Sequence, residues 1–204
     1  MLRNLSFHIP KGPSYYYTDK EEYYERLIFP RNIYSVIDVC KADNCHTSNN
    51  DIQFKNIPFG ASKDEVIQFL GNPRFSTILT NPNFEILFFK EMIGVYKVIT
   101  QVHFFKNEFF LSSYTFRSLN TCDVKRIKSV FLEKYHAGSL LETDLVMFSD
   151  KNENKIFFSN EIFTRICYLS GNSKIIEDIK SIPNIQQNCK KLEDNVNKEI
   201  FDNL

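Results

Sequence analysis

Apolar and polar positions in this 204-residue chain change from a helical to a strand-like period after residue 70. Ser62 and Glu65 have the spacing of a capping box, an apolar stripe follows them, and Gly71 and Pro73 end the pattern. This spacing predicts a short helix over 63–70. The chain then has apolar runs at 75–80, 84–90, 95–105 and 108–117, separated by short polar stretches. Such short separators predict consecutive antiparallel strands.

Alternation along the last two runs assigns their side chains to two faces. If Lys106-Asn107 is a two-residue turn, Phe105 pairs with Glu108 and the pairing proceeds outward from there. The face that we expect to be the core then holds Tyr96, Val98, Val102, Phe104, Phe109 and Leu111. The opposite face mixes polar and aromatic side chains, and it includes Lys97 and Ser112. We expect a partner to bind this second face at Ile99, Gln101, His103, Phe110, Tyr114 and Phe116.

A second helix-plus-strand pattern follows. Thr121 or Asp123 can cap a helix over 124–135, and Gly138 can end it. Strands are predicted at 144–149, 155–159 and 161–169. From Gly171 to the C-terminus the apolar spacing is helical, with an interruption near Pro183.

These patterns divide the chain into four parts. Residues 1–50 form an N-terminal extension with a cluster of tyrosines and a predicted strand at 32–40. Residues 51–120 and 121–170 are two helix-plus-meander units, and 171–204 is a helical tail. The predicted fold class is α+β, with an antiparallel meander sheet, two helix-β-β-β units and short helices packed on one face.

Composition narrows the function classes. The chain has 25 basic and 25 acidic residues and therefore zero formal charge. Proteins that neutralise many phosphates usually carry a basic stripe, so we expect no nucleic-acid partner. No run approaches the roughly 18 apolar residues of a membrane span and no signal peptide is evident, so we expect no membrane association. Five widely spaced cysteines favour reduced thiols and a cytoplasmic location.

Residues 57–73, IPFGASKDEVIQFLGNP, followed by a meander, resemble the opening of the SmpA/OmlA small-lipoprotein domain and the related β-lactamase-inhibitory-protein-like fold. The matching positions are Gly60, Ser62, Val66, Leu70, Gly71 and Pro73, and the resemblance covers mainly residues 57–117. It implies a protein-binding module that uses its open sheet face and is not an enzyme. Members of that family are typically exported, whereas this chain lacks their signal peptide and lipid-attachment cysteine.

Two polar clusters are candidates for metal sites. Cys40, Cys45 and His46 could bind zinc with a fourth ligand, but structural zinc sites usually show tighter pairs. Asp150, Asn152, Asn154 and Glu161 copy several ligand positions of a calcium loop. Lys155 occupies the position that requires glycine in such loops, so residues 150–154 are better explained as a hairpin loop. We therefore expect no metal and no cofactor.

The sequence indicates a fold but contains no recognisable catalytic motif, so we infer the function from the fold. The leading hypothesis is a non-enzymatic protein–protein interaction module of inhibitor, immunity or adaptor type. One alternative is an enzyme of hydrolase or transferase type with a dispersed site, in which His103 meets Glu85, Asp144 or Cys122. Another alternative is a self-associating structural subunit that forms homo-oligomers through residues 171–204.

Overall fold

The structure is a computed structural model that describes residues 19–30, 33, 36, 37, 45–79, 81–135 and 144–182. The helices whose full extent lies in these ranges are α1 (Lys20–Glu25), α2 (Lys63–Leu70), α3 (Thr121–Tyr135) and α4 (Ser173–Lys180). The strands are β1 (Cys45–Thr47), β2 (Phe75–Ile78), β3 (Phe84–Ile93), β4 (Tyr96–Phe105), β5 (Glu108–Phe116), β6 (Leu145–Ser149), β7 (Lys155–Asn160) and β8 (Thr164–Leu169). Among the described helices, none combines the length and the apolar character that crossing a membrane requires.

All eight strands belong to one sheet in the order β1-β6-β7-β8-β5-β4-β3-β2. The predicted α+β class with a mostly antiparallel sheet is confirmed. The two predicted units share this sheet because β5 pairs antiparallel with β8. β1 pairs parallel with β6, so the sheet is mixed and not a pure meander.

Local sequence signals place several elements as expected. The Ser62 N–H donates to the Glu65 carboxylate at 2.7 Å, and the Glu65 N–H donates to Ser62 Oγ at 3.4 Å, which completes the capping box of α2. The predicted N-cap residues of α3, Thr121 or Asp123, lie slightly too far along the chain. Helix α3 begins at Thr121, and Asn120 Oδ1 accepts a hydrogen bond from the Asp123 N–H at 2.9 Å.

The predicted strand at 32–40 is wrong at the three positions of this range that the structure describes. Ile33, Val36 and Ile37 have helical backbone, and all three side chains are buried. Their spacing of i, i+3 and i+4 is that of an apolar helix face, so periodicity outweighs β propensity here. The described strand of the first 50 residues is β1, further along the chain.

Helical segments cover both faces of the sheet, so the expectation of helices on one face is also wrong. α2 and α3 lie on what we call the α3 face, where Val66, Ile127 and Phe131 pack into one core cluster. α4 and the helical residues near Val36 lie on the opposite face, which we call the N-terminal face. Two covers are needed because central strands of this sheet are apolar on both sides.

Gly171 is packed against the β6–β7 loop. A Cβ at this position would lie 2.4 Å from the Asn152 carbonyl oxygen and 2.5 Å from the Glu153 carbonyl carbon. We expect Gly171→Ala to lower the free energy of unfolding by about 1–3 kcal/mol, measured by urea denaturation, because the clash is with backbone. Gly94→Ala is the control, since Gly94 has φ +60° but no neighbour within 4 Å, and it should cost about 1 kcal/mol. Equal losses in the two variants would contradict the packing explanation.

Candidate functional site

The six residues predicted to bind a partner do not form an exposed surface. Exposure is at most 8% for any of Ile99, Gln101, His103, Phe110, Tyr114 and Phe116. The expectation of an open binding face at these positions is therefore wrong. Their burial makes them part of the sheet core.

A β-bulge also divides the six between the two faces. Phe105 pairs with Glu108 as predicted, but the register shifts between His103 and Phe104, so that His103 pairs with Leu111. A shift of one residue moves every later side chain to the other face. Ile99, Gln101, His103 and Phe110 consequently lie on the N-terminal face. Tyr114 and Phe116 lie on the α3 face. The predicted register, which has no bulge, had placed Leu111 on that face instead.

The chain's own residues 27–29 cover the N-terminal face. The Gln101 side chain donates from Nε2 to the Leu27 carbonyl oxygen at 2.7 Å and accepts at Oε1 from the Phe29 N–H at 2.9 Å. The Arg165 guanidinium carbon lies 4.2 Å from the centroid of the Phe29 ring. Gln101 therefore satisfies two backbone groups of the covering segment, which explains a buried amide in this core.

His103 does not meet Glu85 or Cys122, two of the groups proposed for a dispersed catalytic site. Its side chain lies on the N-terminal face, whereas Glu85 pairs with Phe104 in the sheet and binds Lys63 of α2 at 3.1 Å, on the α3 face. Cys122 is exposed at the start of α3, beyond the end of β5. Burial lowers the pKa of His103 from 6.5 to about 3, against a smaller raising effect of a hydrogen bond to the Phe29 backbone. The imidazole is therefore neutral near pH 7.

A cavity with a volume of about 410 Å³ lies on the α3 face. Two other cavities, of about 210 and 180 Å³, are smaller. The cavity of about 410 Å³ is lined by Ile93, Gly94, Tyr96, Tyr114, Phe116, Arg126, Ile127, Val130, Phe131, Lys134, Tyr135, Ile166 and Tyr168. We call this cavity the α3 pocket. Its walls are mainly aromatic and aliphatic, as in most small-molecule sites.

The α3 pocket exists because α3 is attached to the sheet near its two ends. Near the start of the helix, the Tyr96 hydroxyl donates to the Asp123 carboxylate at 3.1 Å. Toward its end, the Phe131 ring packs on Phe148 and Phe158 with centroid distances of 5.6 and 5.8 Å. Both of these rings belong to β6 and β7. The helix thus leaves space over the central strands β4, β5 and β8.

Four tyrosines from separate elements line the α3 pocket, namely Tyr96, Tyr114, Tyr135 and Tyr168. Burial raises the pKa of Tyr114 and of Tyr168 above 10, and the nearby Tyr135 phenol adds to both increases. The Tyr114 and Tyr168 hydroxyls therefore stay protonated at physiological pH and can donate hydrogen bonds. The Tyr135 hydroxyl is buried and lies within hydrogen-bonding reach of Tyr168, although its geometry falls short of a well-formed hydrogen bond with a described residue.

Two cations stand at the mouth of the α3 pocket. Arg126, Val130 and Lys134 follow one another at i, i+4 and i+8 and therefore share a stripe of α3. The flanking charges and the central valine are all exposed. A helical projection of the sequence could have revealed this stripe. The pocket itself depends on strands far apart in the chain and has no local signal.

Metal ligation has no support in the described residues. In the part of the chain that the structure describes, no three His, Cys, Asp or Glu side chains are grouped to hold a metal ion. Cys40 lies outside the described residues, and Cys45 and His46 lie in β1. Asp150 begins the β6–β7 hairpin loop, as the hairpin explanation predicts. Its carboxylate accepts hydrogen bonds from the Asn152 and Asn154 N–H groups at 2.9 Å.

Exposed apolar side chains concentrate at one end of the sheet. Eight large apolar side chains are exposed among the described residues. Five of them lie where β3, β4, β6, β7 and β8 meet their turns, namely Met92, Val95, Leu145, Ile162 and Phe163, and we call these five the apolar rim. From β6 to β3 the sheet has five strand spacings, or about 24 Å. The rim is therefore extended and crosses most of the sheet.

Comparison of the chain with protein-family models, with curated proteins and with solved structures found no match. The resemblance of residues 57–117 to the SmpA/OmlA domain stays a prediction from the sequence.

Proposed function

We propose that this chain is a non-enzymatic protein–protein interaction module whose partner protein docks on the apolar rim. The observation that carries the proposal is the concentration of five exposed apolar side chains at one end of the sheet. Val95 and Ile162 are 77% and 87% exposed at the tips of two turns. Exposed apolar side chains concentrated at one end of a domain are more typical of protein interaction sites than apolar side chains scattered singly.

The chemistry around Phe163 supports a protein partner. The Phe163 ring lies 5.2 Å from the Arg165 guanidinium carbon, and Arg117 follows β5 at the same end of the sheet. Aromatic and arginine side chains are the residue types enriched where interfaces concentrate their binding energy. Phe163 is 40% exposed, so it can still lose water-accessible area on binding. This rim replaces the buried sheet-face residues as the proposed docking surface.

A cytoplasmic location forms part of the same proposal. Cys45, Cys122 and Cys167 carry free thiols in the described part of the chain. Free cysteines suit a reducing compartment.

The interaction is tested by comparing two double variants with the same charge change. Val95→Glu/Ile162→Glu places two carboxylates on the apolar rim, and Phe69→Glu/Ile78→Glu places them on exposed apolar positions elsewhere. We expect the native chain and the Phe69/Ile78 variant to retain the same partner in quantitative pull-downs from native lysate. The rim variant should lose it, with a more than tenfold fall in captured partner. Equal retention by both variants would remove the rim from consideration, and equal loss would indicate a non-specific effect of charge.

A further inference from the structure

The α3 pocket has the size and composition of a site for a small ligand. Its volume of about 410 Å³ lies within the range of about 300–1,000 Å³ that such sites occupy. Phe116, Ile166 and Phe131 provide apolar wall from three elements. An occupant would therefore need an apolar body.

Polar groups in the α3 pocket are few, and they are donors or cations. Tyr135 is 3% exposed, and its hydroxyl lies within hydrogen-bonding reach of the Tyr168 phenol. Arg126 and Lys134 stand at the mouth on one stripe of the helix. This combination of an apolar interior and a cationic mouth selects for an anionic group at one end of the ligand.

Nearby carboxylates do not neutralise that mouth. Neither Arg126 nor Lys134 forms an ion pair with a residue that the structure describes. Asp123 accepts hydrogen bonds from Tyr96 and from the Asn120 N–H. Glu91, which lies close enough to raise the pKa of Tyr114, is already paired with Lys55 and accepts a hydrogen bond from Thr100.

We propose that the α3 pocket binds a free anionic amphiphile, a monocarboxylate with an unbranched or flat apolar body. The apolar body lies between Phe116, Ile166 and Phe131, and the carboxylate lies at the mouth between Arg126 and Lys134. This site lies beside the apolar rim but is independent of it, since binding of the amphiphile requires no partner protein. Electrostatic complementarity at the mouth gives the selectivity for an anion.

A displacement assay on the full chain tests the proposal. The fluorescent probe dansyl-undecanoate should bind with increased emission, and decanoate should displace it about tenfold more effectively than decanol, which has the same chain length without the charge. Replacement of both cations in Arg126→Gln/Lys134→Gln should weaken the binding of decanoate about tenfold and leave the binding of decanol unchanged. The control is Lys125→Gln/Lys128→Gln, which removes the same charge from α3 outside the pocket lining.

A second variant separates occupancy of the pocket from charge. Val130 is 59% exposed, so Val130→Trp should fold normally, checked by its thermal melt, while the larger ring closes the mouth and abolishes probe binding. Failure of the native chain to bind the probe, equal displacement by decanol and decanoate, or unchanged binding by Val130→Trp would each overturn the proposal. Co-sedimentation with phosphatidylglycerol vesicles that Val130→Trp abolishes would also overturn it, because the ligand would then be a membrane lipid.

Discussion

Acidification from pH 6.5 to about 3 is expected to remove about 4 kcal/mol of stability through His103 alone. The imidazole is buried, and its pKa falls from 6.5 in the unfolded chain to about 3 in the folded chain. Between these values the unfolded chain binds one proton more than the folded chain. The free energy of unfolding therefore decreases as pH falls, by up to about 1.4 kcal/mol for each pH unit.

The cleanest window for this measurement lies between pH 6.5 and about 4.5, where the loss should be about 2 kcal/mol. The Ser62 backbone and hydroxyl lower the pKa of Glu65 below 4.5, and Lys106 lowers the pKa of Asp178 below 3.8. Stability from these two carboxylates is present above those values and is lost only at lower pH. Urea denaturation at several pH values gives the slope for His103 before the carboxylates contribute.

His103→Gln should flatten this slope, because a glutamine side chain does not titrate. His46→Gln is the matched control, since it makes the same substitution at a partly exposed histidine of β1 whose ring packs on Phe148 of the α3 face. A native slope in His103→Gln would assign the pH dependence to another group. The same measurement tests whether residues 27–29 hold the N-terminal face closed over His103 in solution.

Sequence patterns located most elements because their signals are local. The helix α2 was predicted to within its observed bounds from a capping box and a stop signal that lie within 12 residues. The turn between β4 and β5 was predicted correctly, and Lys106 and Asn107 both have positive φ, at 49° and 67°. The class of the fold followed from such local signals.

Side-chain faces were harder to predict, because a single bulge reverses them. No glycine marks the extra residue at Phe109-Phe110, so the sequence contains no sign of the register shift. The shift placed Tyr114 and Phe116 in the α3 pocket region rather than beside His103. These two aromatics are therefore buried core residues, and their joint replacement would destabilise the protein as well as alter a surface.

The covering of the N-terminal face could not be predicted from periodicity. Gln101 and His103 alternate with Val102, as in a strand with one buried and one exposed face. This pattern predicts that the face with Gln101 and His103 is exposed to solvent. The structure instead supplies backbone groups of Leu27 and Phe29 to these polar side chains. A buried polar side chain that binds a distant segment looks like an exposed one in sequence, because its partner is more than 70 residues away.

Asp150→Ala is expected to lower the free energy of unfolding by about 3–4 kcal/mol. The Asp150 side chain is buried, and its two oxygens accept four hydrogen bonds from three residues. Three of these donors belong to the β6–β7 loop. The fourth is the N–H of Ile52, at 2.8 Å, in the segment that leads to α2. The carboxylate therefore joins the first unit to the second, and alanine leaves the buried Ile52 N–H and the partly buried loop N–H groups without this acceptor.

Two further substitutions distinguish this effect from a general effect of charge. Asp150→Asn keeps one acceptor oxygen, so we expect a smaller loss than with alanine. Asp51→Ala removes a neighbouring carboxylate that pairs with Lys151 at 3.2 Å, but both side chains are at least half exposed, so the change should be at most about 0.5 kcal/mol. Chemical denaturation of the three variants checks the order. Similar losses for Asp51→Ala and Asp150→Ala would show that surface charge, and not the buried hydrogen bonds to Ile52 and the loop, stabilises this junction.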